Sequence, residues 1–350
     1  MSVSKSLALF LLSLTGAFRL SRRLSRHCLL VVTYHRVIAG TPKGERPSNS
    51  VFTWEFEQQI EYLASHYHVV TGEEVRLFLT EEHSLPNSSV FVTFDDGYEN
   101  NFTEAFPILL RYGAKAAFFL TTGLIGRSAA RLWFDKLDSI LSRHELLLVL
   151  NLVKTLGSPH DIQGETALRE WIKGLTQPQR DTVIEALGQR LGLDEHGADG
   201  RGVTNLITWD QVREMANAGM TIGSHTVSHQ ILASATPEQV EEELVSSRLK
   251  IEKETGRSCW CFAYPNGENK DFRVCDKAAL QSAGYTCAFT QIPGFITAHT
   301  DRYALPRIPI PGSSDIHAFA SRVTGVHHCL QGLSSSDTAR AQIAIPRLSQ

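Results

Sequence analysis

The stretch Val90-Phe91-Val92-Thr93-Phe94-Asp95-Asp96-Gly97-Tyr98 sets the strongest constraint on how this chain can fold. Apolar and β-branched residues lead into two adjacent carboxylates, and a glycine then breaks the run. That pattern predicts a buried strand whose last residues emerge at the end of a sheet. In α/β folds the carboxyl ends of strands are where active sites collect. Two neighbouring aspartates there repel one another unless a cation or a shared proton intervenes. Asp-Gly is also a common turn dipeptide, so the stretch alone leaves a plain turn equally open.

A second strand end decides between the two readings. Met220-Thr221-Ile222 reads as another strand, and Gly223-Ser224-His225-Thr226-Val227-Ser228-His229 follows it. One helical turn or a tight loop brings imidazoles four residues apart to one side. The pair is a weak signal by itself. Joined to an aspartate from another strand end, it makes a three-ligand set that leaves a coordination position open on a divalent metal. Cys261-Phe262-Ala263-Tyr264-Pro265-Asn266-Gly267 forms a third strand end, although Pro-Asn-Gly alone is an ordinary turn. Leu29-Leu30-Val31-Val32-Thr33-Tyr34 is a further strand candidate with His35 at its end. A lone histidine is normally structural, but this one shares the strand-end position of the other motifs.

The rest of the chain alternates helix and strand. Trp54 to Ala64 is an amphipathic helix, Tyr67 to Val70 a short strand, and Thr71-Gly72-Glu73-Glu74 a capping box. Asn100 to Tyr112 is a helix stopped by Gly113, with Pro107 as a kink point, and Lys115 to Thr121 a strand. Thr208-Trp209-Asp210-Gln211 and Thr236-Pro237-Glu238-Gln239 open two more helices, and Asp271 to Ala283 is another. Tyr285 to Thr290 and Tyr303 to Ile310 are strands, and Ile316 to Val323 is the last helix. Strands each followed by a helix predict a parallel β/α array. The rhythm stops over about 127–205, where Trp133 to Leu156, Glu165 to Leu175 and Gln179 to Leu191 read as helical. This insertion follows a barrel strand on the face where a site should lie, as a groove wall, a lid or a packing ornament.

With all three strand-end segments present, the chain resembles the polysaccharide deacetylases, the carbohydrate esterase family 4 that shares the NodB homology domain. Phe94-Asp95-Asp96-Gly97 matches the first motif of that family, His225-Thr226-Val227-Ser228-His229 the second, and Ala263-Tyr264-Pro265-Asn266-Gly267 is a variant of the third. Tyr34-His35-Arg36-Val37 is similar to the opening of a circularly permuted branch that includes poly-N-acetylglucosamine deacetylases. The resemblance covers about Leu29 to about Phe319. It implies a distorted (β/α)7 TIM-like barrel of the NodB fold, circularly permuted, over residues 28–325; by their own composition residues 1–27 read as an amphipathic or targeting segment and 326–350 as a flexible tail.

The implied activity is metal-dependent hydrolysis of the N-acetyl group of N-acetylated sugars in a bacterial exopolysaccharide or cell-envelope glycan, by a hydrolase acting on non-peptide carbon–nitrogen bonds. Asp96, His225 and His229 would be the metal ligands. Zn2+ is the expected ion, with Co2+, Ni2+ or Mn2+ as alternatives. Asp95 would be the general base, His35 the general acid, and the backbone N–H of Asn266 the oxyanion donor; Tyr264 and Pro265 would shape and support the site. Two departures stand out. Ala263 occupies a place where the family often carries an arginine that orients the catalytic aspartate, and Arg307 is the candidate to replace it. The usual C-terminal Leu-x-His segment is missing, which makes His35 the expected acid and His317 the fallback. Alternative readings are a deacylase or deformylase of a lipid-linked sugar or another amide, and a catalytically weakened barrel that binds glycan.

Composition adds exclusions. A net charge of −3 over 350 residues gives no reason to expect a nucleic-acid partner. Six cysteines in a chain this long suggest no disulfide framework, and all are expected to be reduced. Cys259 and Cys261 are expected to share one face of a strand. Residues 1–27 carry the apolar run Leu7 to Leu14, then Arg19, Arg22, Arg23 and Arg26. Thr15-Gly16-Ala17 permits a secretory reading with an exported or periplasmic location. The run is too short to span a bilayer, and a basic amphipathic helix lying on the cytoplasmic membrane surface fits as well or better. The expected location is therefore the cytoplasm or the inner face of the membrane.

Overall fold

The computed structural model describes residues 3–40, 46–80, 83–127, 130–159, 162–192, 203–313 and 315–327. Its centre is a curled parallel sheet. In spatial order the strands are Ile308–Pro309, Leu30–Tyr34, Ser89–Phe94, Ala116–Leu120, Thr221–Ser224, Cys261–Ala263 and Cys287–Phe289. The short strand His68–Val69 pairs with the start of Ser89–Phe94. The last segment reaches both edges: Leu305 bridges Phe289, while Ile308 and Pro309 pair with Val32 and Thr33. The sheet thus has eight strands, seven of them on the path that curls into a half-barrel, in keeping with the expected distorted β/α barrel.

Strand residues alternate sides, and here the alternation separates two apolar layers. Val31, Phe91, Ala117, Phe119, Cys261, Ala263, Cys287, Phe289 and Leu305 fill the barrel interior. Leu30, Val32, Val90, Val92, Ala116, Phe118, Phe262 and Ala288 face the surrounding helices. Gly223 lies where only glycine fits, since a Cβ there would meet the Phe119 ring at 2.5 Å. Helices Thr53–His66, Gly72–Thr80, Trp209–Asn217, Pro237–Thr255, Val274–Ser282 and Ile316–Val323 surround the sheet. The capping boxes at Thr208 and Thr236 form as the sequence predicts, each threonine hydroxyl accepting the N–H three residues on.

The interruption contains helices Trp133–Arg143, Leu146–Thr155, Gly164–Gly174 and Gln177–Leu191, which enclose their own core around Leu137, Ile140, Val153, Leu168, Ile172 and Leu187. It is fastened to the barrel mouth by a buried ion pair between Arg36 and Asp135. Tyr98 joins this pair, accepting from Arg36 Nη2 at 2.8 Å and donating to Asp135 Oδ2 at 3.0 Å.

Several local expectations change. A two-stranded parallel sheet of Arg36–Ile38 with Ser50–Phe52 was not foreseen. The helix expected from Asn100 is a π-helical turn over Asn101–Ala105 followed by α-helix over Phe106–Arg111. Pro107 lacks the N–H that a regular helix would use there. Cys259 and Cys261 belong to different apolar layers, because the strand begins only at Cys261. Cys28, Cys259, Cys261, Cys275 and Cys287 are free thiols; Cys329 and the expected tail from 328 onward lie outside the described residues. Among the described residues no helix is long and apolar enough to cross a membrane.

Candidate metal centre and active site

Strand alternation delivers the first carboxylate. Phe91 and Thr93 point into the barrel, and Asp95 is the next position in that row, just past the strand end. Arg307 continues the inward row of the closing strand from Leu305. Its guanidinium is fully buried and binds Asp95 in fork-to-fork geometry, Nη1 to Oδ1 at 2.8 Å and Nη2 to Oδ2 at 2.7 Å. Arg307 Nε donates to the Thr290 carbonyl at 2.8 Å and Nη1 to Thr93 Oγ1 at 3.2 Å, which fixes the fork itself. Gln291 adds a third donor, Nε2 to Asp95 Oδ2 at 2.9 Å. Burial works to raise the Asp95 carboxyl, but Arg307 with the nearby His225 and His35 holds it below its ordinary value. Asp95 is therefore ionised at neutral pH.

A regular strand would send Asp96 to the opposite side from Asp95. Its φ of +77° turns the second carboxylate instead towards the histidines. His225 Nε2 and His229 Nε2 each lie 3.4 Å from Asp96 Oδ1. Thr226, His229 and Asn266 also adopt left-handed φ values of +67°, +59° and +61°. Such conformations in non-glycine residues persist only where the surroundings over-determine them. One source is Glu243, from helix Pro237–Thr255, which accepts from Val227 N at 2.6 Å, Ser228 N at 3.1 Å and Ser228 Oγ at 2.6 Å. The loop between the two histidines is thus pinned at its middle by one carboxylate.

The donor chemistry suits a divalent cation. His225 Nδ1 donates to the Ala263 carbonyl at 2.7 Å, which in the neutral imidazole leaves the Nε2 lone pair free and turned to Asp96. Both Asp96 oxygens are buried and without a hydrogen-bond partner, an arrangement that a buried carboxylate does not keep cheaply. One ligand atom from each of Asp96, His225 and His229 lies within 4.8 Å of the others, and all three residues are buried. Burial tends to raise the Asp96 carboxyl, and the facing His225 and His229 imidazoles together with His35 override it and hold the group well below the usual carboxylate range. Two nitrogens and one carboxylate oxygen form a set that fits Zn2+ with an open position.

His35 sits at the end of Leu30–Tyr34, half-buried, and feels both aspartates, Arg307 and His225. Burial pulls its imidazole below the ordinary value against the attraction of Asp96 and Asp95. Asn101, in the π-helical turn, donates to the His35 carbonyl at 2.6 Å, so the irregular helix start holds the histidine loop. Asn266 occupies a tight turn in which Gly267 N donates to Pro265 O at 2.8 Å and Gly267 O accepts from Gln291 N at 2.9 Å. Its side-chain Nδ2 is buried and unpartnered. Tyr264 donates its hydroxyl to the Tyr303 carbonyl and stacks on Phe272, so it supports the fold and not a substrate. The buried Pro265 begins the turn. His317 lies edge-on to Phe10 of the N-terminal helix and is not part of this cluster.

The sequence reading missed three contributors. Gln291 continues the inward row Cys287, Phe289 beyond the strand, and the alternation signal could have found it. Glu243 has no local signature on its helix. Phe134 packs edge-to-face with His229 from within the insertion, ring centroids 5.3 Å apart, a contact that no periodicity announces.

A family model described as "Polysaccharide deacetylase" matches residues 82–288, more than half of the chain. YxkH of Bacillus subtilis, whose name assigns it to the polysaccharide deacetylases, is 24% identical over 288 residues, 82% of this chain and 73% of that protein. A poly-beta-1,6-N-acetyl-D-glucosamine N-deacetylase of Staphylococcus aureus is 32% identical over 127 residues, but these span only 33% of this chain and 42% of the relative. The fold matches that of the Streptococcus pyogenes deacetylase PplD, solved in complex with acetate, with a TM-score of 0.57 at 20% identity, covering 85% of this chain and 99% of that one. It also matches IcaB from Ammonifex degensii, with a TM-score of 0.54 at 19% identity, covering 85% and 97%.

Proposed function

Because this chain belongs to the polysaccharide deacetylase family, whose members are hydrolases of amide bonds, we propose that it removes N-acetyl groups from an N-acetylated sugar of a bacterial exopolysaccharide or cell-envelope glycan. The observation that carries this reading is the pairing of Asp95, held ionised by the Arg307 fork, with the adjacent Asp96, His225 and His229 cluster. A binding barrel has no need of an oriented base beside a ligand set in register.

An amide is a poor electrophile with a poor leaving group. Asp96, His225 and His229 would hold a divalent cation, Zn2+ by donor type, whose chemistry is Lewis acidity towards water and towards an acetyl carbonyl. Asp95 takes a proton from the attacking water; its two oxygens are fixed in one plane by Arg307, so the remaining lone pairs point in a defined direction. The N–H of Asn266, in its left-handed turn, donates to the developing oxyanion. His35 gives a proton to the departing amine as the C–N bond breaks, and the products are acetate and a free amino sugar. The lowered His35 value makes it a strong proton donor once charged. Ala263 does not weaken this scheme, because its carbonyl orients His225 and a guanidinium reaches Asp95 from Arg307.

The helical insertion forms one wall of the substrate approach. A cleft of about 430 Å³ beside it is lined by Arg36, Arg46, Ser48, Arg131, Asp135 and Asp138, and Phe134 reaches His229 from the same helix. This polar cleft suits a hydroxyl-rich glycan chain. A lipid-linked N-acylated sugar is the second reading, favoured by exposed leucines on the N-terminal helices. The deciding assay measures acetate release from N-acetylglucosamine oligomers by metal-stripped protein before and after Zn2+ addition, with Asp95→Asn as control. Release that requires metal and is lost in Asp95→Asn is the expected result. Absence of release in protein that demonstrably binds Zn2+ would remove the N-acetylglucosamine reading.

A further inference from the structure

We propose that the paired N-terminal helices are a docking surface for an anionic lipid bilayer, a role independent of the reaction above. Helices Val3–Leu14 and Ala17–Leu24 are joined at Gly16, whose φ of +77° allows the sharp change of direction. They are fastened to the body from one side only. Phe18 is buried, Ser21 Oγ donates to the Thr324 carbonyl at 2.6 Å, and Arg22 Nη1 donates to the Tyr62 hydroxyl at 3.3 Å.

The opposite side has an unusual surface. Phe10 meets His317 of the body, but Leu11, Leu14, Leu20 and Leu24 are four of the ten exposed large apolar residues among those described, concentrated in fourteen positions. Leu14 is 68% and Leu20 60% exposed, values at odds with a closed packing face. On Ala17–Leu24, Leu20 and Leu24 form one row four apart and Arg19 and Arg23 the next row, all exposed, with Arg26 just beyond. The chain is net negative at −3, yet its first acidic residue is Glu45. Every charged side chain before that point is basic: Lys5, Arg19, Arg22, Arg23, Arg26, Arg36 and Lys43.

Leucines flanked by arginines, with no carboxylate among them, match the two requirements of an interfacial helix: apolar area to bury at the acyl boundary and cations for anionic headgroups. A protein partner or a second copy of this chain would have to supply a complementary acidic rim around an apolar centre. The bilayer supplies both together. Neither helix crosses it; the pair lies along its surface.

Co-sedimentation of the full chain with vesicles tests this. Wild type should bind vesicles of mixed phosphatidylcholine and phosphatidylglycerol, release them as salt rises, and leave phosphatidylcholine vesicles alone. The triple variant Arg19→Gln, Arg23→Gln, Arg26→Gln should weaken binding by on the order of 100-fold. Leu20→Ser with Leu24→Ser should weaken it while keeping the salt dependence. All five positions are exposed, so unchanged thermal unfolding of the variants confirms that they fold. Failure to bind the mixed vesicles, or equal binding to both kinds, overturns the proposal. So does a concentration-dependent dimer abolished by the leucine substitutions, which would assign this face to a second copy.

Discussion

Arg307→Met isolates the interaction on which the proposed base depends. The guanidinium is fully buried and Asp95 is 1% exposed, so water cannot replace what is removed. The substitution deletes two charge-assisted hydrogen bonds to Asp95 and the bonds to Thr290 and Thr93. Methionine occupies much of the same space beside the Phe119 and Phe289 rings, so cavity formation is the smaller part. Breaking a buried pair by removing one partner costs about 3–5 kcal/mol, because the remaining charge is stranded. Asp95→Asn strands Arg307 instead and should cost about 2–4 kcal/mol. With both substitutions no charge is left, and the double variant should cost only about 1–3 kcal/mol. The coupling is then at least roughly 2 kcal/mol, against about 0.5 kcal/mol or less for independent sites.

Denaturant unfolding of metal-stripped protein near neutral pH measures this cycle without any knowledge of substrate; metal must be absent because it stabilises by mass action. The pH matters. Asp95 has a folded value below its ordinary 3.8, so its contribution is present above the unfolded value and is lost as pH falls through the folded one. The coupling should therefore persist at neutral pH and shrink in strong acid. Additivity within about 0.5 kcal/mol at neutral pH would refute the argument that Arg307 holds Asp95 as an ion.

Two further outcomes follow from the same geometry. Glu243→Ala removes the acceptor of three hydrogen bonds to the His225–His229 loop and should weaken Zn2+ affinity by about 10- to 100-fold in a chelator competition, with Glu243→Gln intermediate; unaltered affinity in the alanine variant would mean that the loop holds its strained shape unaided. Burial raises the Asp135 carboxyl to about 7 despite Arg36, so its contribution to stability is full below the ordinary value of 3.8 and is lost as pH rises through about 7. Asp135→Asn should flatten the decline in unfolding free energy between those limits, and parallel curves for the two proteins would rule this out.

Sequence alone determined the parts of this protein that local chemistry controls. Apolar alternation and capping residues marked most strands and helices to within a few residues, because the inward row from Phe91 to Asp95 and the boxes at Thr208 and Thr236 are written in neighbouring positions; the strand read over Tyr303 to Ile310 is regular only at Ile308–Pro309, and the helical stretch Trp133 to Leu156 is two helices. The motifs around Asp95, Asp96, His225 and His229 carried the family for the same reason. Tertiary structure decided what distant segments do to one another. That Arg307 and Gln291 grip Asp95 across about two hundred residues follows from barrel closure, which pairs the last strand with Leu30–Tyr34, the neighbour of Ser89–Phe94. The turn of Asp96 towards the histidines depends on a left-handed backbone that Asp-Asp-Gly permits but does not require. Glu243 and Phe134 reach the histidines from a helix and an insertion whose sequences carry no trace of that contact, since a contact made in space leaves no period in the chain.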